Sequence, residues 1–458
     1  MENLGATRRD VLRGAASLAL AGSLTGCDPR PTNIVFILAD DLGYADLSCY
    51  GRRDYETPKI DGLAAGGVKL TQGYANSCVC SPTRVALITG RYQQRLRVGL
   101  EEPINDVNFE VRLPDGHPTL PSLLKGLGYR TALIGKWHVG VAPEAGPLAF
   151  GYDYFFGYPF GGTNYYQQTD SSGRIVPRDL VFRNREPVRV EGYLTDALGD
   201  EAAAWIGAGT GPFFLSLHFN AAHFPWVAPG DRAAAAAWTD DFDRNQGNLE
   251  IYGQMVGSLD ANVGKVLAAI DRLGLANDTI VVFTSDNGGE RFSDTWPFTG
   301  AKGELLEGGL RVPLIVRWPG RVAANTVSPQ VMTTMDFLPT LLGAVGGRPD
   351  PAFPSDGEDL MPVLRGHASV RSRRLFWRHR TATQEAVRDG DWKYLLLGGK
   401  EHLFNLAYDE RERADRSAEE PAKLAELKNA YAAWNASMLI YPPDSFSYDV
   451  KQIDADRY

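Results

Sequence analysis

Long hydrophobic runs are missing from this chain. None reaches the roughly 18 residues of a membrane-crossing helix, so no transmembrane span is implied. Cysteine is scarce: four residues in 458 exclude a disulfide scaffold, and no paired C-x-x-C spacing supports an all-cysteine zinc cluster. Positive charge is in deficit, with 47 Lys and Arg against 56 Asp and Glu, a net charge of −9. Such a chain is a poor candidate for a nucleic-acid binder that works by neutralising phosphates. Internal repeats and long low-complexity tracts are also absent. The apolar fraction of 44% and charged fraction of 22% argue against disorder and allow a sizeable core. At roughly 100–200 residues per domain, the length predicts two to four domains, or one large α/β unit with a smaller partner.

The first segment reads as an address. Thr7-Arg8-Arg9-Asp10-Val11-Leu12-Arg13 carries a twin arginine, and an uncharged stretch from Gly14 to Gly26 follows. That stretch is too short to span a bilayer and fits a signal-peptide core. It resembles a bacterial twin-arginine signal, a route for proteins exported already folded. Leu24-Thr25-Gly26-Cys27 looks like a lipobox, in which Cys27 would be lipidated and become the mature N-terminus. Asp28 resembles an inner-membrane retention signal. The expectation is a periplasmic or cell-envelope protein that meets the membrane only through an N-terminal lipid.

The body alternates strand and helix signals. Ile34–Leu38 and Thr279–Phe283 are continuous apolar runs, as expected of strands buried on both faces. Thr131–Ile134, Phe213–Leu217 and Val312–Val316 are weaker candidates. Ile251, Met255, Leu259, Val263, Val266 and Ile270 recur at helical spacing, as do Leu120, Leu123, Leu124 and Leu127. The pattern predicts an α/β fold: a large, mostly parallel sheet sandwiched by helices. After about Gly366 the rhythm breaks. Short strands at Leu375–Trp377, Trp392–Leu397 and His402–Leu406, then a helix with Leu424, Leu427, Tyr431 and Trp434, predict a small C-terminal α+β domain. The expected organisation is a signal over 1–27, a catalytic domain over 32–366 and the small domain over 367–458.

In open α/β sheets, ligands bind beyond the carboxyl ends of the strands. Asp40 and Asp41 follow the first strand, and Asp286 and Asn287 follow Thr279–Phe283. Lys136 and His138 follow Thr131–Ile134; His218 and His223 follow Phe213–Leu217. Asp and Asn oxygens are hard ligands that suit Ca²⁺ or Mg²⁺. His218, at the strand end itself, reads as structural. In Cys80-Ser81-Pro82-Thr83-Arg84-Val85-Ala86-Leu87-Ile88-Thr89-Gly90-Arg91, Pro82 suits a first helical turn and Gly90 a helix stop. Cys80 then sits at a helix N-terminus, where backbone N–H groups and the dipole favour an anion. Arg84 lies about one turn further on.

This string resembles the signature of the type I, formylglycine-dependent sulfatases: Cys-x-Pro-Ser-Arg, three variable residues, then Leu-Thr-Gly-Arg. Thr83 stands for Ser and Ile88 for Leu. Leu38–Tyr44, Gly135–His138, Ala222–Pro225, Ser285–Gly289, Gly300–Gly303 and Glu307–Pro313 also resemble blocks of that family, in its order. The resemblance runs from about residue 32 to the segment around His402–Asp409 and implies an alkaline phosphatase-like fold. It implies that a separate maturation enzyme oxidises Cys80 to formylglycine, an aldehyde. One hydroxyl of its hydrate would attack the sulfur of a sulfate ester; the other would then lose its proton and expel sulfate. Asp40, Asp41, Asp286 and Asn287 would hold one Ca²⁺, with Mg²⁺ as the alternative, and residue 80 would complete the shell. Arg84 would orient the formylglycine, His138 would assist sulfate release, Lys136 and Lys302 would grip sulfate oxygens, and His223 would protonate or hydrogen-bond the leaving oxygen.

Physical chemistry supports these roles. A sulfate ester repels nucleophiles, and a divalent cation with two Lys and an Arg offsets that charge in a water-poor pocket. A leaving alkoxide needs a proton, which His supplies near neutral pH. A Cys thiolate could attack, but its adduct has no internal route to expel sulfate. Two other readings compete: a phosphonate monoester or phosphodiester hydrolase using the same site, and a non-catalytic binding lipoprotein. The intact Cys-x-Pro-x-Arg core argues against the second. The substrate would be a sulfated small molecule or carbohydrate. The aromatic run Tyr152–Tyr158 could stack on a sugar or aryl ring, or belong to the core. Cys49 and Cys78 remain as ordinary thiols that could pair outside the cytoplasm, an expectation that folded export weakens.

Overall fold

The computed structural model describes residues 31–105, 111–141, 143–238 and 246–447. The twin arginine and Cys27 lie outside the described residues. Among those described, no helix is long and apolar enough to cross a membrane.

Among the described residues, ten strands form the main sheet. Its centre is the Asn33–Ala39 strand, with Phe213–His218 on one side and Thr279–Ser285 on the other, both parallel to it. Arg130–Lys136 follows next to Phe213–His218, and Tyr154–Tyr158 lies beyond it, also parallel. On the opposite side Leu314–Arg317 runs antiparallel to Thr279–Ser285, with Val68–Leu70 and Thr326–Ser328 beyond it. The sheet is mixed but mostly parallel, as expected.

Alternation of side chains explains why the strands read as unbroken apolar runs. Val35, Ile37 and Ala39 enter one core layer; Ile34, Phe36 and Leu38 enter the other. Each fully buried Val, Ile, Leu or Phe is worth about 1.5–3 kcal/mol relative to exposure, so a polar residue on either face would be costly. The 24-residue Leu249–Arg272 helix covers the first layer beside Leu194–Gly207. The side chain of Asn248 caps it by accepting the Ile251 N–H at 2.8 Å. The Cys80–Thr89 helix contributes Val85, Leu87 and Ile88 to the other layer.

A second sheet of four antiparallel strands comprises Arg374–His379, Gln384–Asp389, Trp392–Leu397 and Lys400–Asn405. The Pro421–Asn435 helix buries Leu427, Tyr431 and Trp434 against it. The Trp377 indole donates to the Ala75 carbonyl at 2.9 Å, tying this sheet to the segment before Cys80. The described residues from Thr32 onward form one compact unit.

The aromatic run resolves toward the core. Tyr154–Tyr158 is a strand of the main sheet, and Tyr152, Phe155, Phe156 and Tyr158 are buried. Cys49, Cys78 and Cys80 are all free thiols.

Candidate active site

The strand order brings the predicted residues to one edge. Ala39 lies opposite Ser285 in the parallel register, so the two acidic loops leave the sheet side by side. The Asp41 N–H donates to Asp286 Oδ1 at 3.3 Å, and the Leu42 N–H to Ser285 Oγ at 3.0 Å. Asp41 itself takes a φ of 58°, uncommon for a residue with a Cβ and held here by these neighbours. On the other side, the Asp40 N–H donates to the Ala221 carbonyl and the Ala222 N–H to the Asp40 carbonyl. Gly135 has a φ of +113°, and a Cβ there would fall 1.7 Å from the His218 carbonyl oxygen. Only glycine lets the Lys136 strand lie so close to its neighbour.

The helix carrying Cys80 begins at that residue and ends at Gly90, in the left-handed region at φ 66°, as the sequence predicts. The Cys80 sulfur, an oxygen each of Asp40 and Asp41, and a His223 nitrogen all lie within 4.8 Å of one another, and all four residues are buried. Arg84 reaches back from the next turn. Its Nε and Nη2 donate to Asp286 Oδ2 at 3.0 and 2.7 Å, and its Nη1 to the Lys136 carbonyl at 3.1 Å. Lys136 Nζ donates to Asp40 Oδ2 and Lys302 Nζ to Asp41 Oδ2, both at 2.7 Å. Three carboxylates are thus matched by three cations.

At the acidic centre, Asp40 Oδ1 and Asn287 Oδ1 are buried without a hydrogen-bond donor. Asn287 Nδ2 donates to Asp41 Oδ1 at 2.7 Å, which fixes the amide with its oxygen unsatisfied. A buried oxygen without a partner costs about 1–3 kcal/mol, more when charged. Burial pushes the Asp40 carboxyl well above the usual carboxylate range, against the pull of Lys136. Burial also raises Asp41, but Lys302, His223 and Lys136 outweigh it and hold that carboxyl below the range. The donor-less oxygens, one of a carboxyl group and one of an amide, are hard ligands that fit a divalent cation of the Ca²⁺ or Mg²⁺ kind.

The histidines differ in what their nitrogens can do. His138 Nε2 lies 3.1 Å from the Ile104 carbonyl, which can only accept, so Nε2 carries the proton. Its Nδ1 is buried with no hydrogen-bond partner. Burial first, then the Lys136 charge, pushes this imidazole well below its ordinary pKa, leaving a neutral ring with an acceptor nitrogen. His223 donates Nδ1–H to the Phe224 carbonyl at 2.6 Å and stacks on the Phe224 ring, with Nε2 3.5 Å from Asp41 Oδ2. His218 is satisfied on both sides, donating to the Lys136 carbonyl and accepting from Ser216 Oγ.

Each proposed residue therefore reaches the same edge. Asp40, Asp41, Cys80 and His223 share the centre. Asp286 joins through Arg84 and the Asp41 N–H, and Asn287 through the Asp41 carboxylate. The sequence reading passed over Glu290, whose carboxylate lies 3.3 Å from Lys302 Nζ. The available signal was its place three residues after Asn287, on a strand-end loop. The Ile104 carbonyl that sets the His138 tautomer carries no signal in sequence.

A buried acid-rich edge on a mostly parallel sheet, with a Cys at a helix N-terminus, suits a hydrolase that uses a divalent metal, and the solved sulfatases that share this fold belong to the alkaline phosphatase superfamily. The family model described as Sulfatase matches residues 32–347. Steryl-sulfatase from Mus musculus is 33% identical over 84% of this chain and 72% of that protein. Arylsulfatase A from Homo sapiens is 34% identical over 82% of this chain and 74% of that protein. Among solved structures, Ps i-CgsB in complex with k-i-k-neocarrahexaose superposes with a TM-score of 0.81. It shares 29% identity and covers 92% of this chain and 95% of that one. The chain belongs to the sulfatase family, and its reaction is sulfate ester hydrolysis.

Proposed function

We propose that this sulfatase acts on a sulfated carbohydrate, with Cys80 converted to formylglycine and a Ca²⁺ ion held by Asp40, Asp41, Asp286 and Asn287. The observation that carries the reading is the Cys80 sulfur grouped with Asp40, Asp41 and His223 beside two donor-less oxygens. The sulfur stands where an oxygen of the matured residue would be. The carbohydrate class rests on the likeness to Ps i-CgsB, whose solved complex contains k-i-k-neocarrahexaose.

A bound divalent cation supplies charge stabilisation at the sulfate oxygens, and the aldehyde supplies a hydroxyl nucleophile with a route to release sulfate. The chain's own groups do the rest. Arg84 is locked by Asp286 and the Lys136 carbonyl, so it holds the first turn of the Cys80 helix without searching. Lys136 and Lys302 bring ammonium donors to the sulfate. Unit charges about 4 Å apart attract by about 1 kcal/mol in bulk water and about 4 kcal/mol at an effective dielectric of about 20. Burial of both lysines therefore matters as much as their charge. His138 Nδ1 accepts the proton from the hydroxyl at residue 80 when sulfate leaves. His223 spends Nδ1–H on the Phe224 carbonyl, so Nε2 is the atom that serves the leaving oxygen.

The twin arginine and lipobox support export in the folded state and anchoring in the cell envelope through Cys27; Cys27→Ala should then release the protein to the soluble fraction. The reaction is tested with a panel of sulfated monosaccharides, sulfated oligosaccharides and aryl sulfates, beside aryl phosphonate monoesters. Turnover of a sulfated sugar above the others is expected. Preferential turnover of the phosphonate esters would overturn the reading.

A further inference from the structure

Beside the sulfate-gripping lysine lies a carboxylate that no step above uses. Glu290 is 5% exposed, and its Oε1 is 3.3 Å from Lys302 Nζ. The backbone fixes the two together. The Lys302 N–H donates to the Gly289 carbonyl at 3.0 Å, and the Glu290 carbonyl accepts the Ser293 N–H at 3.1 Å. A Cβ on Gly289 would fall 1.7 Å from Ser293 Oγ, so the turn that presents Glu290 is closely packed. Lys302 thus faces two carboxylates, Asp41 at 2.7 Å and Glu290 at 3.3 Å.

We infer that Glu290 is a specificity-determining residue that acts through Lys302, biasing the site toward singly charged sulfate esters over doubly charged phosphate monoesters. The inference rests on the sulfatase reading of the site. A sulfate ester and a phosphate monoester present nearly the same tetrahedron of oxygens, so hydrogen-bond donors alone discriminate poorly between them. Charge does discriminate. The ester sulfate carries one negative charge, and a phosphate monoester carries close to two above its second ionisation at about pH 6. A buried carboxylate on Lys302 lowers the positive potential offered to either anion, and the penalty is larger for the dianion. Burial keeps solvent from screening that difference.

The test uses two ligands of matched shape and different charge, benzenesulfonate and phenylphosphonate. Both are titrated calorimetrically, at about pH 8.5 where the phosphonate is a dianion, into the wild-type protein and Glu290→Gln, with divalent-metal content measured in each. The wild type should favour benzenesulfonate. In the variant, phenylphosphonate should gain about tenfold in affinity relative to benzenesulfonate at equal metal content. A ratio that stays within about twofold overturns the inference. If the variant does not fold, the wild type is titrated below and above the second ionisation of phenylphosphonate. Affinity must then fall as the second charge appears while benzenesulfonate is unaffected, and a constant or rising affinity overturns the inference. Binding needs neither turnover nor a matured Cys80. A protein inactive on every sulfate ester yet biased by charge would refute the sulfatase reading alone; an active sulfatase with no bias would refute only the role of Glu290.

Discussion

Around Glu307, every carboxylate oxygen lies within 2.8 Å of a cation or a donor; around Asp40, Asp40 Oδ1 has only the Arg84 guanidinium at 3.7 Å, and Asn287 Oδ1 has no hydrogen-bond partner. Glu307 Oε1 is 2.8 Å from Lys393 Nζ, and its Oε2 accepts from Tyr74 OH and lies 2.5 Å from Arg311 Nε. Glu412 pairs with Lys393 at 2.7 Å through Oε1, and its Oε2 accepts the Glu307 N–H at 2.6 Å. Lys393 belongs to the small sheet and Glu307 opens the short Glu307–Leu310 helix, so this cluster is a joint. The Asp40 cluster uses the same residue types at the same depth but leaves Asp40 Oδ1 and Asn287 Oδ1 unsatisfied. Among buried charges, the closed set holds parts together, and the open set is prepared to receive a cation.

The sharpest way to separate the two clusters is to remove one side chain from each. Cys80→Ala should lower kcat by about 10⁴-fold or more, since it removes the nucleophile. Its thermal midpoint should stay close to that of wild type, because no ion pair is lost. Retained turnover would refute the role of Cys80. Lys393→Ala should do the reverse. It leaves Glu307 and Glu412 buried without their shared cation and should cost about 3–5 kcal/mol of folding free energy in denaturant titration. A loss below about 1 kcal/mol would show that the joint is not one.

Metal removal probes the open cluster alone. A cation at 100 times its dissociation constant stabilises the folded state by about 2.7 kcal/mol. Chelation should therefore lower the thermal midpoint of wild type, and lower that of Asp40→Asn much less. Equal shifts would place the stabilising ion elsewhere.

The closed cluster also carries a pH dependence. Burial, only partly offset by Lys393 and reinforced by Glu307, pushes Glu412 from 4.5 to about 7. Between those values the folded state binds more protons than the unfolded chain, so stability falls as pH rises from about 4.5 to about 7. Glu412→Gln should flatten that slope in thermal scans across the window. Glu307 works in the opposite sense. Burial raises it, but Lys393 and Arg311 hold it below the carboxylate range, so its contribution is lost only as pH falls beneath about 4.5.

The central strands were legible because both faces are buried, which forces unbroken apolar runs such as Ile34–Leu38. Gln384–Asp389 was not, because its sequence Gln-Glu-Ala-Val-Arg-Asp mixes charge into a strand whose polar groups are satisfied by tertiary partners. The run Tyr152–Tyr158 fits either a stacking surface or the core; in the fold, pairing with the Lys136 strand buries most of it. The acidic loops and the Cys80 helix were legible because chemistry fixes their residue types. Glu290 was not, because a lone carboxylate after two glycines reads as an ordinary turn. Its meaning comes from Lys302, twelve residues on, and only the folded loop brings the two together.

The account turns on what residue 80 becomes. Peptide mass spectrometry of the segment around Cys80, from protein made in a host that carries a formylglycine-generating enzyme, tests it most directly. An aldehyde in place of the thiol is expected in catalytically active protein. An unmodified cysteine in that active protein would contradict it.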